Sequence, residues 1–242
     1  LGKKAYPREL ELARSEIARK LSEQTGKNIQ VRIFADLIDI KDEKWRNALE
    51  GYLNSQRFDL IVEPEYFEYA LLVYEEYKNK RGIYGVGIVD VAKLAKYGNV
   101  ALKETLADQL ECKNTYARWY VNMLLSKVHC VDDVTQLRNY PTAITPTCML
   151  YKNYTARALN PRIYNKPYIG LGAIKIQLKT IEQQLETLQQ EIKQQKVELE
   201  ALKNTQSLLK KSNADKILYR IDLLDKYHSL EKEYQEVNER YQ

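Results

Sequence analysis

The sequence predicts a mixed α/β domain followed by a long helical arm. Between residues 31 and 64, an apolar run rich in branched side chains, an apolar stripe at helical spacing and a second short apolar run follow one another. This order is typical of a strand, a helix and a strand. After residue 173 no Gly or Pro occurs, and Glu, Gln, Lys and Leu dominate, as in a helical rod. With 242 residues, the chain can hold one such domain and an extended part.

Three elements make up the predicted opening unit. Residues 31–40 have the composition of a buried strand, and residues 58–62 form a second one that ends before Pro64, a residue that suits the start of the next helix. Between the two strands, apolar side chains recur three and four residues apart and predict a helix with one apolar stripe: Trp45, Ala48, Leu49, Tyr52 and Leu53.

Residues 1–25 are predicted to form a helix with a narrow apolar seam that ends at Gly26. An isolated helix of this length is marginal in water, so we expect it to pair with the C-terminal helix. The predicted architecture is an α/β (α+β) domain inserted between the two arms of an antiparallel coiled coil. Its parts are an N-terminal arm (1–27), a domain in two halves (28–172, divided into 28–92 and 93–172) and a C-terminal arm (173–242).

Within the domain, periodicity predicts helices at 65–80, 92–111 and 114–126. Strands are predicted at 84–91, 128–131 and 142–150, and residues 151–172 are expected to be irregular.

The C-terminal arm carries a heptad pattern. Its seam is apolar from Ile174 to Leu202, polar for about two heptads, and apolar again from Leu223. Because Ser, Asn and Asp favour caps and turns over helix interiors, we predict a break near residues 211–215. Residues 216–242 would then fold back as a hairpin or pack against another copy.

Little in the sequence indicates catalysis. There is no phosphate-binding G-x-x-x-x-G-K-[ST] motif, and Gly85-Val86-Gly87 lacks the third glycine of a dinucleotide-binding turn. The two histidines, His129 and His228, and three separated cysteines do not form a zinc or nucleophile pattern. The fragment is therefore not expected to be an enzyme or to hold a cofactor or a metal.

One feature of the sequence is basic. From residue 134 to residue 172 there are five basic side chains and no acidic ones, interleaved with five tyrosines, and a second basic cluster ends the predicted helix 65–80. Such side chains can hold phosphate without reading sequence, and tyrosines can stack on unpaired bases. The alternative is a solvated basic loop packed by its tyrosines. The candidate DNA-binding residues are Lys78, Lys80, Arg81, Arg138, Lys152, Arg157, Arg162 and Lys166.

Two stretches resemble a known family. ADLIDIKDEKWRNALEGYL and ARWYVNMLLSKVHCVDDV are similar to the first and second halves of the hinge domain of SMC proteins, the coiled-coil ATPases that organise chromosomes. The resemblance covers roughly residues 28–172. YPREL, ALEGYLNSQRFDLIVEPEYF and CMLYKNYTARALNP resemble the SMC-like (MukB-like) subunit of bacterial Wadjet plasmid-defence systems.

The resemblance implies a homodimeric hinge that joins two arms and contacts DNA. In the family, ATPase heads for DNA loop extrusion lie outside the hinge, kleisin-type and accessory subunits join the full-length protein, and the complex is cytoplasmic and associated with the nucleoid. No membrane partner is expected. Sheet-edge pairing in the family, together with the glycines, gives the candidate dimer interface: Tyr84, Gly85, Val86, Gly87, Ile88, Tyr168, Ile169, Gly170 and Gly172.

Two alternatives from other classes stay open. One is a coiled-coil scaffold whose α/β domain binds a protein partner, for which a monomeric mass would be the sign. The other is an α/β enzyme with a coiled-coil extension, for which a small molecule bound near Gly85 or Gly87 would be the sign.

Overall fold

The structure is a computed structural model that describes residues 4–101, 103–211 and 214–241. The chain divides into two compact units, Leu1–Ile181 and Glu182–Gln242. Within the described ranges, no helix is both long and apolar enough to cross a membrane.

Seven helices and nine strands are described. The helices are α1 (Arg8–Thr25), α2 (Arg46–Leu53), α3 (Phe67–Arg81), α4 (Thr115–Leu125), α5 (Pro161–Tyr164), α6 (Gly172–Lys211) and α7 (Ala214–Tyr241). The strands are β1 (Arg32–Ile33), β2 (Ile38–Ile40), β3 (Leu60–Ile61), β4 (Ile88–Val89), β5 (Leu110–Cys112), β6 (His129–Cys130), β7 (Thr142–Ile144), β8 (Met149–Lys152) and β9 (Thr155–Ala158).

The strands form three small sheets in the first unit. One has the order β1-β3-β4, with β1 antiparallel and β4 parallel to β3. A second consists of β2 and β5, antiparallel. The third has the order β6-β7-β8-β9, in which β6 is parallel to β7 and the other pairs are antiparallel.

The predicted strand 31–40 is two strands. A short 3-10 turn, Phe34–Asp36, separates β1 from β2 and sends them to different sheets. Phe34 is fully buried in the largest apolar cluster, where it contacts the ring of Tyr120 edge-on. Because this turn places Phe34 in the core, the chain changes direction where the composition alone predicts a continuous strand.

The pairing predicted for residues 1–25 is corrected by the structure. The four seam residues of α1 are buried, and three of them, Leu10, Ile17 and Leu21, pack in a cluster with side chains of the β1-β3-β4 sheet and of α3. Helix α1 therefore belongs to the core of the first unit, where its seam packs on α3 and the sheet. The seam residues are Leu10, Ala13, Ile17 and Leu21.

Three further predicted segments differ from the structure. Residues 92–111 are not one helix, because a 3-10 helix, Val91–Tyr97, ends before Gly98 and β5 begins at Leu110. The predicted strand 84–91 shortens to β4. Residues 151–172 include the β8–β9 hairpin, whose two-residue turn holds Asn153 at φ 51° and Tyr154 at φ 60°.

The predicted helices 65–80 and 114–126 are confirmed as α3 and α4. Each has a physical boundary visible in the sequence. Gly82 adopts the left-handed conformation that ends α3, and the Asn114 side chain accepts a hydrogen bond from the Ala117 amide at the start of α4.

Helices α6 and α7 occupy the predicted C-terminal arm. The heptad side chains of α6 are exposed from Leu178 onward, and in α7 the apolar seam from Leu223 to Val237 is exposed as well. The predicted break near 211–215 falls between the described end of α6 and the described start of α7, and Ser212 and Asn213 lie outside the described residues.

Candidate dimer and DNA-contact surfaces

The first predicted interface segment, residues 84–88, leads into β4 at one edge of the β1-β3-β4 sheet. Tyr84 is 71% exposed, and the space where a Cβ of Gly85 would lie is open. Val86, Gly87 and Ile88 are half-buried. This segment is accessible, so its place in a dimer interface stays a prediction.

At Gly87, a neighbouring side chain of the same chain leaves no room for a Cβ atom. A Cβ there would overlap the carboxylate of Asp59, to which the Gly87 amide donates a hydrogen bond. Oδ2 of Asp59 accepts a hydrogen bond from the Tyr120 hydroxyl at 2.5 Å. Burial raises the pKa of Asp59 above its usual range, and these two hydrogen bonds partly oppose that rise.

The second predicted interface segment, residues 168–172, is mostly inside the first unit. Tyr168, Ile169 and Gly170 are buried within the chain, so they offer no accessible surface here, and their contact with another copy stays a prediction. Tyr168 stacks on Tyr6 and meets Phe58 edge-on. The Tyr168 ring is therefore covered by side chains of the same chain.

A fully buried carboxylate holds this segment to α2. Oε1 of Glu50 accepts hydrogen bonds from the amides of Tyr168 and Ile169, at 2.6 and 2.7 Å. Its Oε2 pairs with Arg57 at 2.7 Å. Buried Arg46 donates to the Ile169 carbonyl at 3.0 Å. The charge of Glu50 is thus paired, and both of its oxygens are hydrogen-bonded, as a buried carboxylate requires.

The glycines of the second segment also fit internal neighbours. Gly170 has φ 71°, and a Cβ there would overlap the carboxylate of Asp39, which accepts from the Leu171 amide at 3.1 Å. At Gly172, a Cβ would lie 2.8 Å from Nη2 of Arg46. Gly172 itself is exposed at the start of α6.

The structure reveals an edge that the sequence analysis did not identify. Among the strands that the structure describes, β9 is the one in which every residue is exposed. The Leu159 amide donates to Cys148 on the β8 side. Because backbone groups alternate along a strand, those of Ala156 and Ala158 face away from β8. The only sequence signal is the alternation of small and polar residues in TARA.

The basic side chains at the end of α3 are engaged in ion pairs on their own helix. Lys78 pairs with Glu75 at 2.7 Å, and Lys80 pairs with Glu76. Arg81 is exposed. These pairs reduce the positive charge that the cluster offers to a phosphate group.

The structure places Lys152 and Arg157 on one face of the β8–β9 hairpin. Leu150 lies opposite Arg157 and Lys152 lies opposite Thr155, so these four side chains share a face. Lys152 lies over the ring of Tyr52, 5.7 Å from Nζ to the ring centroid. The remaining candidates, Arg138, Arg162 and Lys166, are exposed elsewhere in the same half of the domain.

Four of the five tyrosines of the basic tract are half-buried or buried, and the fifth is exposed. Tyr140 stacks on His129, Tyr151 packs in a small apolar cluster, and Tyr168 is buried. Tyr164 is half-buried. Tyr154, at the tip of the β8–β9 hairpin, is 96% exposed.

The described residues contain no group of three or more His, Cys, Asp or Glu side chains arranged to hold a metal ion. Burial raises the pKa of the Cys112 thiol to about 11 and that of Cys130 to about 12, where nearby Asp108 and Asp132 add to the rise. Neither thiol is therefore activated as a nucleophile at neutral pH.

No family model matches the chain, and no curated protein matches it. Among solved structures, the SMC hinge domain of Pyrococcus furiosus is 18% identical over 62% of this chain and 86% of that chain, with a TM-score of 0.42. The same hinge with an extended coiled coil is 18% identical over 85% and 75%, with a TM-score of 0.45. An asymmetric dimer of the Geobacillus stearothermophilus SMC hinge domain is 11% identical over 77% and 76%, with a TM-score of 0.48.

These three solved structures are SMC hinge domains, and this chain is similar to them at low identity and low TM-score.

Proposed function

We propose that this chain is a hinge module that joins two copies of itself through sheet edges. The observation that carries the proposal is the exposed β9 edge, with the outward backbone groups of Ala156 and Ala158. An unpaired edge strand is a template for another strand, and natural proteins usually protect such edges. Here the outward positions bear only methyl groups.

The partner edge in this proposal is β4 with the preceding residues 84–88. Of the two glycine-containing segments, this one is accessible. It lies in a different sheet from β9. In a two-fold dimer, β4 of each copy would pair with β9 of the other, so that one contact is made twice. This arrangement replaces residues 168–170, which are buried.

Proline at an outward position of β9 tests the proposal. Ala156→Pro removes the amide hydrogen that a new strand would use, and an edge strand tolerates proline. We expect this variant to shift the chain from dimer to monomer in sedimentation equilibrium while its circular dichroism is unchanged. Ala156→Val keeps the amide and is the matched control. A dimer that persists in Ala156→Pro would exclude this edge.

The exposed seam of α6 supports an arm function. Apolar side chains at heptad spacing, such as Leu185, Leu188 and Ile192, are about half exposed in the second unit. Each forfeits up to about 1.5–3 kcal/mol of burial when it faces water. Since α1 packs on α3, we propose that α6 pairs with a helix other than α1 to form a coiled-coil arm.

We further propose that the hinge contacts DNA through phosphate groups. Lys152 and Arg157 lie on one exposed face, in a tract without acidic residues. Phosphate contacts of this kind hold DNA without reading sequence.

The salt dependence of binding to a duplex tests this contact. Replacing Lys152 and Arg157 with Ala should lower the slope of log affinity against log salt by about 1 for each residue. Replacing Lys78 and Lys80 is the control, because both are paired with glutamates and should change the slope less. A wild-type chain without affinity for DNA at low salt would remove the proposal.

On the sequence resemblance, we place the module in an SMC-like ATPase of Wadjet type. ATPase heads, kleisin-type subunits and loop extrusion would belong to the longer protein, and the complex would act on chromosomes or plasmids in the cytoplasm. The competing proposal is a coiled-coil scaffold whose domain binds a protein partner. A monomeric mass at micromolar concentration would favour the scaffold.

A further inference from the structure

Two cavities of the first unit adjoin each other and form one recess, which we call the α1 cleft. One has a volume of about 620 Å³ and is lined in part by Leu171 and Ile174, where the chain enters α6. The other has a volume of about 490 Å³ and runs along residues 28–33. Three side chains line both cavities: Arg14, Asp36 and Lys113. The dimer and DNA contacts proposed above use none of these residues.

The floor of the α1 cleft is apolar. Three buried side chains contribute to it: Val31, Ile33 and Leu37. In the adjoining cavity, Leu171 is 58% exposed and adds an apolar side chain. Of the described residues that line the cleft, only Tyr6 is aromatic, and its ring is stacked on Tyr168 with the Lys4 ammonium also near it. The cleft therefore offers apolar contact without a free aromatic ring.

The two carboxylates among the described residues that line the cleft are already paired. Glu11 pairs with Arg14 at 2.6 Å, and Asp36 pairs with Lys4 at 2.8 Å. The same oxygen of Asp36 also accepts a hydrogen bond from the Tyr6 hydroxyl at 2.7 Å. Because their charges are compensated, these two acids do little to oppose an anion in the cleft.

Two further cations at the cleft, Arg32 and Lys113, form no ion pair within the described part of the chain. Lys113 donates from Nζ to a backbone carbonyl at 2.6 Å, and Arg32 donates to the side chain of Gln30 at 2.7 Å. Both acceptors are neutral. Arg32 also lines a separate cavity with Glu63 and Glu65, whereas Lys113 lines both cavities of the α1 cleft. Lys113 is therefore the main uncompensated charge in the cleft.

We propose that the α1 cleft binds an extended acidic peptide of a protein partner, with its carboxylates on Lys113 and Arg32 and an apolar side chain beside Leu171. Charge complementarity favours an acidic partner, and the apolar floor favours apolar side chains between the acids. Asn28 and Gln30 are exposed and line the same cleft, where their amides can hydrogen-bond the peptide backbone. Nucleic acid fits less well, because its bases would find no free ring to stack on.

Fluorescence anisotropy with the full chain tests the proposal, using a labelled peptide of alternating Glu and Leu at low salt. The informative variant is Lys113→Glu, because Lys113 is exposed and the reversal replaces an attraction with a repulsion. We expect its affinity for the peptide to fall more than about tenfold. Lys113→Gln keeps a donor for the backbone carbonyl and should lose about fivefold, as expected for one exposed ion pair. If Lys113→Glu does not fold by circular dichroism, Lys113→Gln decides.

The controls separate the cleft from general charge effects. Lys127→Glu reverses an exposed lysine that lines neither cavity, so the affinity for the peptide should be unchanged. Leu171→Ala should weaken binding of the Glu–Leu peptide but not of a Glu–Ser peptide, because only the first has apolar side chains. The double variant Lys152→Ala, Arg157→Ala should bind the peptide like the wild type, since neither residue lines the cleft.

Three outcomes would overturn the proposal. The first is a wild type that does not bind the Glu–Leu peptide at low salt. The second is a folded Lys113 variant that loses no more affinity than Lys127→Glu. The third is a duplex or an oligothymidylate that displaces the labelled peptide as well as the unlabelled peptide does, which would make the cleft a general polyanion site.

Discussion

The two glycine-containing segments, residues 84–88 and 168–172, look alike in sequence but occupy different places in the molecule. The first runs along a sheet edge, with Tyr84 exposed. The second is buried from Tyr168 to Gly170 and is held by the carboxylate of Glu50. Glycine permits another group to approach the backbone closely. The sequence alone does not indicate whether that group belongs to the same chain or to a second copy.

In each segment, an acidic residue of the region 31–64 occupies the space beside one glycine. Asp59 occupies the space beside Gly87, and Asp39 occupies the space beside Gly170. In both places glycine leaves room for a carboxylate that accepts a backbone hydrogen bond. Glycine is therefore required inside the chain at Gly87 and Gly170, whereas at Gly85 the space for a side chain is open.

The largest expected effect comes from removing the carboxylate that holds the buried segment. Glu50→Ala leaves Arg57 buried without its ionic partner, so we expect the free energy of unfolding to fall by about 3–5 kcal/mol. Glu43→Ala is the matched control, because Glu43 also pairs with a buried arginine but its own side chain is 67% exposed. Its cost should stay below about 1 kcal/mol. Urea unfolding of both variants measures the difference, and equal costs would contradict the role given to Glu50.

A side chain at Gly170 should be the next most costly change. Gly170→Ala combines a positive φ with overlap of the Asp39 carboxylate, for an expected loss of about 2–5 kcal/mol. Gly85→Ala has a similar φ, 80°, but open space, so it should lose only about 1–2 kcal/mol. Thermal unfolding of the two variants separates the clash from the backbone strain. If Gly85→Ala cost as much as Gly170→Ala, the clash would have no part in the effect.

The smallest expected effect is a pH dependence at the first segment. Because the pKa of Asp59 is raised in the folded chain, its protonation favours folding. The resulting stability is complete below the unfolded pKa, about 3.9, and is lost as pH rises through the folded value. Asp59→Asn cannot titrate, so the stability of the wild type relative to this variant should decline from pH 4 upward. Urea unfolding of both proteins at several pH values measures this decline. A wild type that gains stability relative to Asp59→Asn as pH rises would contradict the prediction.

Helices α3 and α4 were predictable from the periodicity of their apolar residues. The structure adds the physical boundaries, because Gly82 ends α3 and Asn114 begins α4. The partner of α1 was not predictable, because its narrow seam suits a coiled coil and a sheet-backed core equally well. The seam shows that α1 buries one side but not which element covers it.

The β9 edge was hidden for a different reason. Its hairpin turn is Asn153-Tyr154, without the glycine that usually signals a two-residue turn. Likewise, the buried state of Tyr168 depends on Tyr6 and Phe58, which are distant in sequence. Of the candidate interface, residues 84–88 are accessible and residues 168–170 are buried within the chain, and the place of both segments in a dimer stays a prediction.

The most direct test of the account is a cross-link between two copies of the chain. One copy would carry Tyr84→Cys and the other Ala156→Cys, and a flexible bis-maleimide would be added to each alone and to their mixture. The wild type controls for the native cysteines, which are half-buried or buried. The proposed pairing predicts a strong cross-linked dimer only in the mixture, because β4 of one copy meets β9 of the other. A cross-link of equal yield in either variant alone, or none in the mixture, would contradict it.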